Sequence, residues 1–310
     1  MQFGLALPTD RVESGAEFVS AQAIHAIARA GEDAGFESAY VTDHPFPVQR
    51  WLDGGGHHAL DPFVALSFAA AATTTLRLRT HILVLGYRNP FLTAKAAASL
   101  DVLSEGRLTL GVGAGYLKGE FQALGAEFDG RGAIADEALA AMKAAWQQDD
   151  VQLAGHDFEA RGNTMRPRPT QRPHPPLWVG GNSKAAIRRA VRLGDGWLPF
   201  PNPASMATFT RTAALESYDD LADRIRFARE FAQSTGRTDS LAIGYSLEGM
   251  GGAALSADEA LARTRSLEAL GVSWVGIGFP ASSRAEYCQQ VHDFGREVIA
   301  PHLAECSGAQ

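Results

Sequence analysis

The amino-acid sequence predicts an α/β protein built as a (β/α)8 TIM barrel, with insertions after the second and fourth strands. Three observations predict it: eight short apolar segments recur along the 310 residues, amphipathic stretches separate them, and glycines follow several of those stretches. Short apolar runs alternating with helical periods are the pattern of parallel βα units. Eight such units close most economically as a barrel, whereas an open doubly wound sheet normally uses about five to seven strands.

The strands are read in order from QFGLALP, SAYVTDH, LRLRTHILVL, RLTLGVGAG, PLWVGG, DGWLPF, LAIGYSLEG and WVGIGF. Between them, helical periodicity predicts helices over 21–34, 62–73, 90–103, 133–147, 184–193, 217–235 and 257–270. Ser256 is an N-cap candidate with Glu259 three residues on, and Gly35, Gly106, Gly194, Gly236 and Gly271 stand where C′ glycines would. Two segments exceed what a barrel needs: PFPVQRWLDGGGHHALDP after the second strand and 149–176 after the fourth. The latter contains RPRPTQRPHPP, has no helical period and is crowded with prolines, so it is expected to be extended and surface-lying. One domain over residues 1–310 is the expectation.

Composition narrows the function. A hydrophobic fraction of 45% and a charged fraction of 20% describe an ordinary globular protein. The formal net charge of −7, with no run of Lys or Arg, argues against a nucleic-acid partner and for a small-molecule one. MQFGLALPTDRVE has no basic stretch before an apolar one, and no segment approaches the roughly 18 apolar residues needed to span a bilayer, so a cytoplasmic protein without a membrane partner is expected. Cys288 and Cys306 have no metal-like or CxxC spacing and are read as packing or surface residues.

Catalytic residues of such barrels sit at the C-terminal ends of the strands. Asp43 and His44 stand there, at the end of the second strand in YVTDHPFP. A lone histidine is often only a structural hydrogen-bonding group, but at the mouth it is placed to exchange protons near neutral pH beside a carboxylate. The fourth strand ends in LGVGAGYLKGEF, with Gly111, Gly113 and Gly115 on alternate positions. This is not GxGxxG. It either leaves room for a large flat ligand or lets the barrel interior close. The fifth strand ends in WVGGNSKAAIRRA: Gly180, Gly181, Asn182 and Ser183 precede a helix from Lys184, which is either an anion site or a capped helix with a glycine turn. Trp197 with Pro199, the His57–His58 pair after three glycines, and Arg88 with Asn89 are further mouth residues with an equally plain structural reading. A metal site is not expected, because no third ligand stands at useful spacing.

Together, YVTDH, LRLRTHILVLGYRNPFLTAKAAASLDVLSEGRLTLGVGAGYLKGEFQALG and PLWVGGNSKAAIRRAVRLGDGWLPF resemble the luciferase-like monooxygenase family, particularly its deazaflavin (coenzyme F420)-dependent oxidoreductase branch. The resemblance covers almost the whole chain. It implies a homodimer formed by barrel helices and a deazaflavin ring over the mouth, with His44 near the reactive ring and Asp43 contacting the coenzyme. It implies cofactor contacts from Gly113, Ala114 and Gly115 and from Val179 to Ser183, the phosphate lying on Gly180, Gly181, Asn182 and Ser183. It also implies a non-proline cis peptide near His81–Ile82, under the ring. Sugar-phosphate-oxidising relatives place a Glu where this chain has Tyr116, and an aromatic where it has Val48, which puts that substrate in doubt. Glu120, a turn later, is either a substitute acid or a solvated or capping carboxylate. The implied activity is hydride transfer between the deazaflavin C5 and a small organic substrate. The alternatives are an FMNH2-dependent flavin monooxygenase, with FMN in the same mouth, and a non-catalytic flavin-binding barrel, against which Asp43 and His44 speak. An unrelated aldolase or isomerase would need a mouth Lys or carboxylate pair that is not seen.

Overall fold

The structure is a computed structural model and describes residues 1–247 and 255–308. Its strands are β1 (Gln2–Ala6), β2 (Ser38–Val41), β3 (Arg77–Val84), β4 (Leu108–Gly113), β5 (Val151–Gly155), β6 (Phe158–Asn163), β7 (Leu177–Gly180), β8 (Gly196–Leu198), β9 (Ala242–Ser246) and β10 (Trp274–Ile277). All except β5 and β6 are parallel and form one closed barrel in the order β1-β10-β9-β8-β7-β4-β3-β2. The eight barrel strands fall inside the eight segments read from the sequence; Glu248 and Gly249, at the end of the seventh segment, lie outside the described residues.

The helices are α1 (Ala21–Asp33), α2 (Gln49–Asp53), α3 (Pro62–Ala72), α4 (Pro90–Leu103), α5 (Lys118–Ala123), α6 (Arg131–Gln147), α7 (Lys184–Leu193), α8 (Ala204–Thr210), α9 (Tyr218–Ser234), α10 (Ala257–Leu270), α11 (Arg284–Phe294) and α12 (Ala300–Gly308). Their starts are chemically marked. Asp61 and Asn89 accept hydrogen bonds from the first-turn amides of α3 and α4, each with proline in the first helical position, where its missing N–H costs nothing. Ser256 and Glu259 form the predicted capping box of α10. Gly35, Gly106, Gly236 and Gly271 have positive φ, as C′ glycines do, but Gly194 is extended at φ −111° and only continues the chain into β8.

Two features go beyond the sequence reading. The segment after β4 is extended and mostly exposed, as expected, and within it β5 and β6 pair as an antiparallel hairpin around His156–Asp157, with Asp157 at φ 54°. Val151 and Ala160 turn inward while the remaining positions of the hairpin are more exposed, an alternation that the proline-rich run beyond it obscures. The eighth helix, α11, follows β10 and passes through a π-helical turn, Gly295–Ile299, into α12. Its Tyr287, Val291 and Phe294 are buried, and the Tyr287 hydroxyl donates to the Ala6 carbonyl.

Gly111 answers part of the alternate-glycine question. A Cβ there would lie 2.1 Å from the Thr80 carbonyl oxygen, so this glycine serves barrel closure. Among the described residues no helix is long and apolar enough to cross a membrane.

Candidate active site

At the C-terminal ends of the strands lies a cavity of about 340 Å³. Asp43, His44, His81, Ile82, Gly113, Ala114, Gly115, Tyr116, Gly180, Gly181 and Ser183, all singled out in the sequence, line it. Val179, Asn182, Trp197 and Glu120 are fully buried and do not.

The floor is made by missing side chains. The His81–Ile82 peptide is cis, at the point where β3 and β4 slip register. Ile82 projects between β4 and β7: a Cβ on Gly180 would stand 1.7 Å from its Cδ1, and one on Gly113 3.0 Å from its Cγ2. Glycine at both positions therefore makes room for the Ile82 side chain in the floor. The His81 Nδ1 is buried in this floor with no hydrogen-bond partner. Burial, and then the charge of Arg79, drive its pKa down to about 3, so the ring is neutral.

The wall after β2 is an imidazole held from behind. His44 Nδ1 lies 3.4 Å from Glu120 Oε2. Glu120 also accepts the Tyr87 hydroxyl at 2.7 Å and the Phe46 N–H at 3.0 Å. Burial alone would raise the Glu120 carboxyl, but the hydrogen bonds from His44, Tyr87 and Phe46 outweigh it and keep the group ionised. Glu120 is not the solvated carboxylate of the second reading: it is a fully buried acceptor behind His44. Asp43, next in the chain, is spent elsewhere. Its two oxygens take a bidentate pair from Arg88, at 2.7 and 2.9 Å, and the Val84 N–H at 3.0 Å. Asn89 caps α4 rather than facing the cavity.

The segment 49–58 crosses this wall. Trp51 of α2 is buried and packs on His44 and His57, with ring centroids 4.5 and 5.4 Å away. A Cβ on Gly56 would fall 2.3 Å from the Trp51 ring, so the glycine run lets the chain wrap the indole and bring His57 over the cavity. His57 Nδ1 lies 2.8 Å from the His58 carbonyl oxygen. A carbonyl only accepts, so Nδ1 carries the proton and Nε2 is left as an acceptor. Burial keeps this imidazole neutral.

The opposite rim is cationic. Ser183 caps α7 by accepting the Ala186 N–H at 3.1 Å. The Asn182 side chain bonds Phe200 and Ala213 backbone and fixes the loop from beneath, and Trp197 Nε1 donates to the Gly181 carbonyl at 2.9 Å. Arg131, Arg189 and Arg211 reach the same cavity. Arg189 pairs with Asp136. Arg131 and Arg211 flank the Phe128 ring at 4.2 and 4.7 Å, and burial followed by the neighbouring Arg211 charge lowers the Arg131 pKa. Sequence reading missed all three arginines, as well as Tyr87: they come from separate helices and loops, and no spacing in the chain connects them.

The residues fit a flat, anionic-tailed ring. A glycine-rich floor with an unpartnered buried imidazole nitrogen borders the cavity, and cations and first-turn amides stand at one end.

The family model described as luciferase-like monooxygenase matches residues 1–273. The FMNH2-dependent dimethylsulfone monooxygenase of Pseudomonas putida is 35% identical over 173 residues, 54% of this chain and 46% of that protein. The F420-dependent glucose-6-phosphate dehydrogenase of Beutenbergia cavernae is 38% identical over 171 residues, 54% of this chain and 49% of that protein. The matches thus span about half the length of these two relatives. In three dimensions the monooxygenase RslO1 from Streptomyces bottropensis superposes with a TM-score of 0.81 over 98% of this chain and 100% of that one, at 22% identity, a likeness of fold.

Proposed function

The chain belongs to the luciferase-like monooxygenase family, and from that premise we propose that it is a coenzyme F420-dependent oxidoreductase acting on a small organic substrate. The observation that carries the proposal is the buried, ionised Glu120 behind His44. When bound, the deazaflavin supplies or accepts the hydride at C5. Gly113, Ala114, Gly115, Gly180 and Gly181 would hold its ring over His81 and Ile82. Ser183, the first-turn amides of α7, Arg131 and Arg211 would hold its phosphate.

The protein's own share is proton handling. Glu120 accepts from His44 Nδ1, which leaves Nε2 as the nitrogen that exchanges a proton with the substrate oxygen. A substrate hydroxyl loses its proton to Nε2, and a substrate carbonyl receives one from it in the reverse direction. Either way the imidazolium stage is stabilised by the carboxylate behind it. Tyr116, its pKa pushed up to about 12 by burial and then by Glu120, remains a hydrogen-bond donor in the same cavity. Asp43 acts by position: it fixes Arg88 and the start of the loop after β3.

A reduced-flavin monooxygenase is the second reading, favoured by the 35% identical relative that uses FMNH2. There the Trp51–His57 segment would keep water from the ring. A flavin-binding barrel without chemistry would have no use for an ionised carboxylate behind a cavity imidazole. The experiment is turnover with a panel of small alcohols and carbonyl compounds, followed by deazaflavin absorbance, beside oxygen uptake with reduced FMN. Deazaflavin turnover lost in His44→Ala supports the proposal, and oxygen uptake with product formation replaces it by the second reading.

A further inference from the structure

Below the cavity the barrel axis holds a buried cation with no carboxylate beside it among the described residues. Arg79 of β3 is 3% exposed, and its Nε and Nη1 have no hydrogen-bond partner. Among the described residues no carboxylate pairs with it. What surrounds it is aromatic: its guanidinium carbon lies 5.1 Å from the Tyr40 ring centroid, 5.3 Å from Trp178 and 5.8 Å from Trp274. From β1, Gly4 gives it room, because a Cβ there would stand 3.0 Å from Nη2 and 3.0 Å from Ser38 Oγ, itself unpartnered.

Most barrels fill this volume with branched aliphatic side chains. An aliphatic residue would pack here without desolvating a charge, whereas a buried, unpaired cation is costly. The three aromatic faces offset only part of that cost. A guanidinium does not deprotonate in a protein, so the charge is permanent at every physiological pH. It is also close to the site: Tyr40, which it faces, lies 4.8 Å from the His81 ring in the cavity floor. Neither acid of the rim pairs with it: Asp43 is taken by Arg88, and the ionised Glu120 lies behind His44, bonded to Tyr87 and Phe46.

Resting on the ring site proposed above, we propose that Arg79 is a positioning residue whose buried charge, with no carboxylate beside it, makes the cavity floor bind an anionic ring in preference to a neutral one. Hydride is an anion, so whichever partner receives it gains one negative charge until a proton follows. A fixed cation beneath a neutral floor imidazole therefore favours the reduced cofactor over the oxidised one. The depressed His81 pKa agrees: burial first, and then the same charge, keep a proton off the floor, so that no second cation joins the first.

The test uses the full chain as Arg79→Met, which fills the same volume without charge, and as Arg79→Lys, which keeps the charge. Melting curves establish folding, and the methionine variant is expected to melt at or above the parent temperature. Dissociation constants are measured anaerobically for oxidised and reduced deazaflavin. Arg79→Met is expected to weaken the reduced form about tenfold more than the oxidised form, about 30 mV for a two-electron couple, and Arg79→Lys to leave the ratio within about threefold. Equal weakening of both forms overturns the inference. Absence of binding by the parent overturns instead the cofactor assignment. An arm independent of the cofactor remains: in the ligand-free protein, NMR titration of the His81 ring should shift upward by about tenfold in proton affinity in Arg79→Met and not in Arg79→Lys. An unchanged His81 titration sinks the inference whatever the cavity binds.

Discussion

Replacing Glu120 by alanine tests the support behind His44. Two of its contacts are short charge-assisted hydrogen bonds, from the Tyr87 hydroxyl at 2.7 Å and the Phe46 N–H at 3.0 Å. The third, from His44 at 3.4 Å, is long and adds little to stability. Hydrogen bonds to a charged group contribute about 1.5–3 kcal/mol each, so the two short ones set an expected loss of about 3–6 kcal/mol. Unfolding entropy near 2.1 cal/mol/K per residue converts this, for 310 residues, into a fall in Tm of about 5–9 °C. Glu120→Gln keeps an acceptor oxygen and should lose about half as much. The effect has a pH signature. Because the folded protein holds the Glu120 pKa below its ordinary 4.5, the stabilisation is fully present above pH 4.5 and is lost as pH falls through the lower folded-state value. Differential scanning calorimetry of parent and variants from pH 7 to pH 3 measures both quantities, the gap narrowing on acidification. An alanine variant that melts within 1 °C of the parent at pH 7 would refute the buried, ionised carboxylate.

Other outcomes follow from the same geometry. Asp43→Asn removes the charge from a bidentate pair and leaves the exposed Asp61 as the only carboxylate beside Arg88, so chemical denaturation should show a loss of about 3 kcal/mol. Trp197→Phe leaves the Gly181 carbonyl without its buried donor; a loss of about 1–3 kcal/mol in stability, together with weaker cofactor binding, should appear in melting and titration. The resemblance implies a homodimer, and the α3 and α4 surfaces expose Val64, Phe68, Leu92 and Leu103, at 57, 41, 72 and 77%, as residues a second copy would cover. Sedimentation of Leu92→Asp should then give half the parent mass, whereas a monomeric parent would contradict the dimer.

Much of the architecture was legible because each barrel strand is a short apolar run and most helices carry local start signals, as Ser256 with Glu259 shows. The β5–β6 hairpin escaped because only Val151 and Ala160 turn fully inward, so its alternation is faint beside the prolines. The site divides in the same way. Gly113, Gly180 and His44 stand at strand ends and could be placed by counting along the chain, and the Ser183 cap carries its own signature. Tyr87 and Glu120 meet across 33 positions, and Arg131, Arg189 and Arg211 converge from separate elements. Such long-range pairings follow from barrel closure, which local periodicity does not encode. Asn182 and Trp197 show the converse, since residues at mouth positions turned out to hold the loop from within.

The central claim is the identity of the ring, and a fluorescence titration of the purified protein with oxidised coenzyme F420 and, separately, with FMN tests it most directly, with His44→Ala alongside. Micromolar or tighter binding of F420, at least about tenfold better than FMN and nearly unchanged in the variant, is the predicted result. Preference for FMN, or binding of neither, would contradict it.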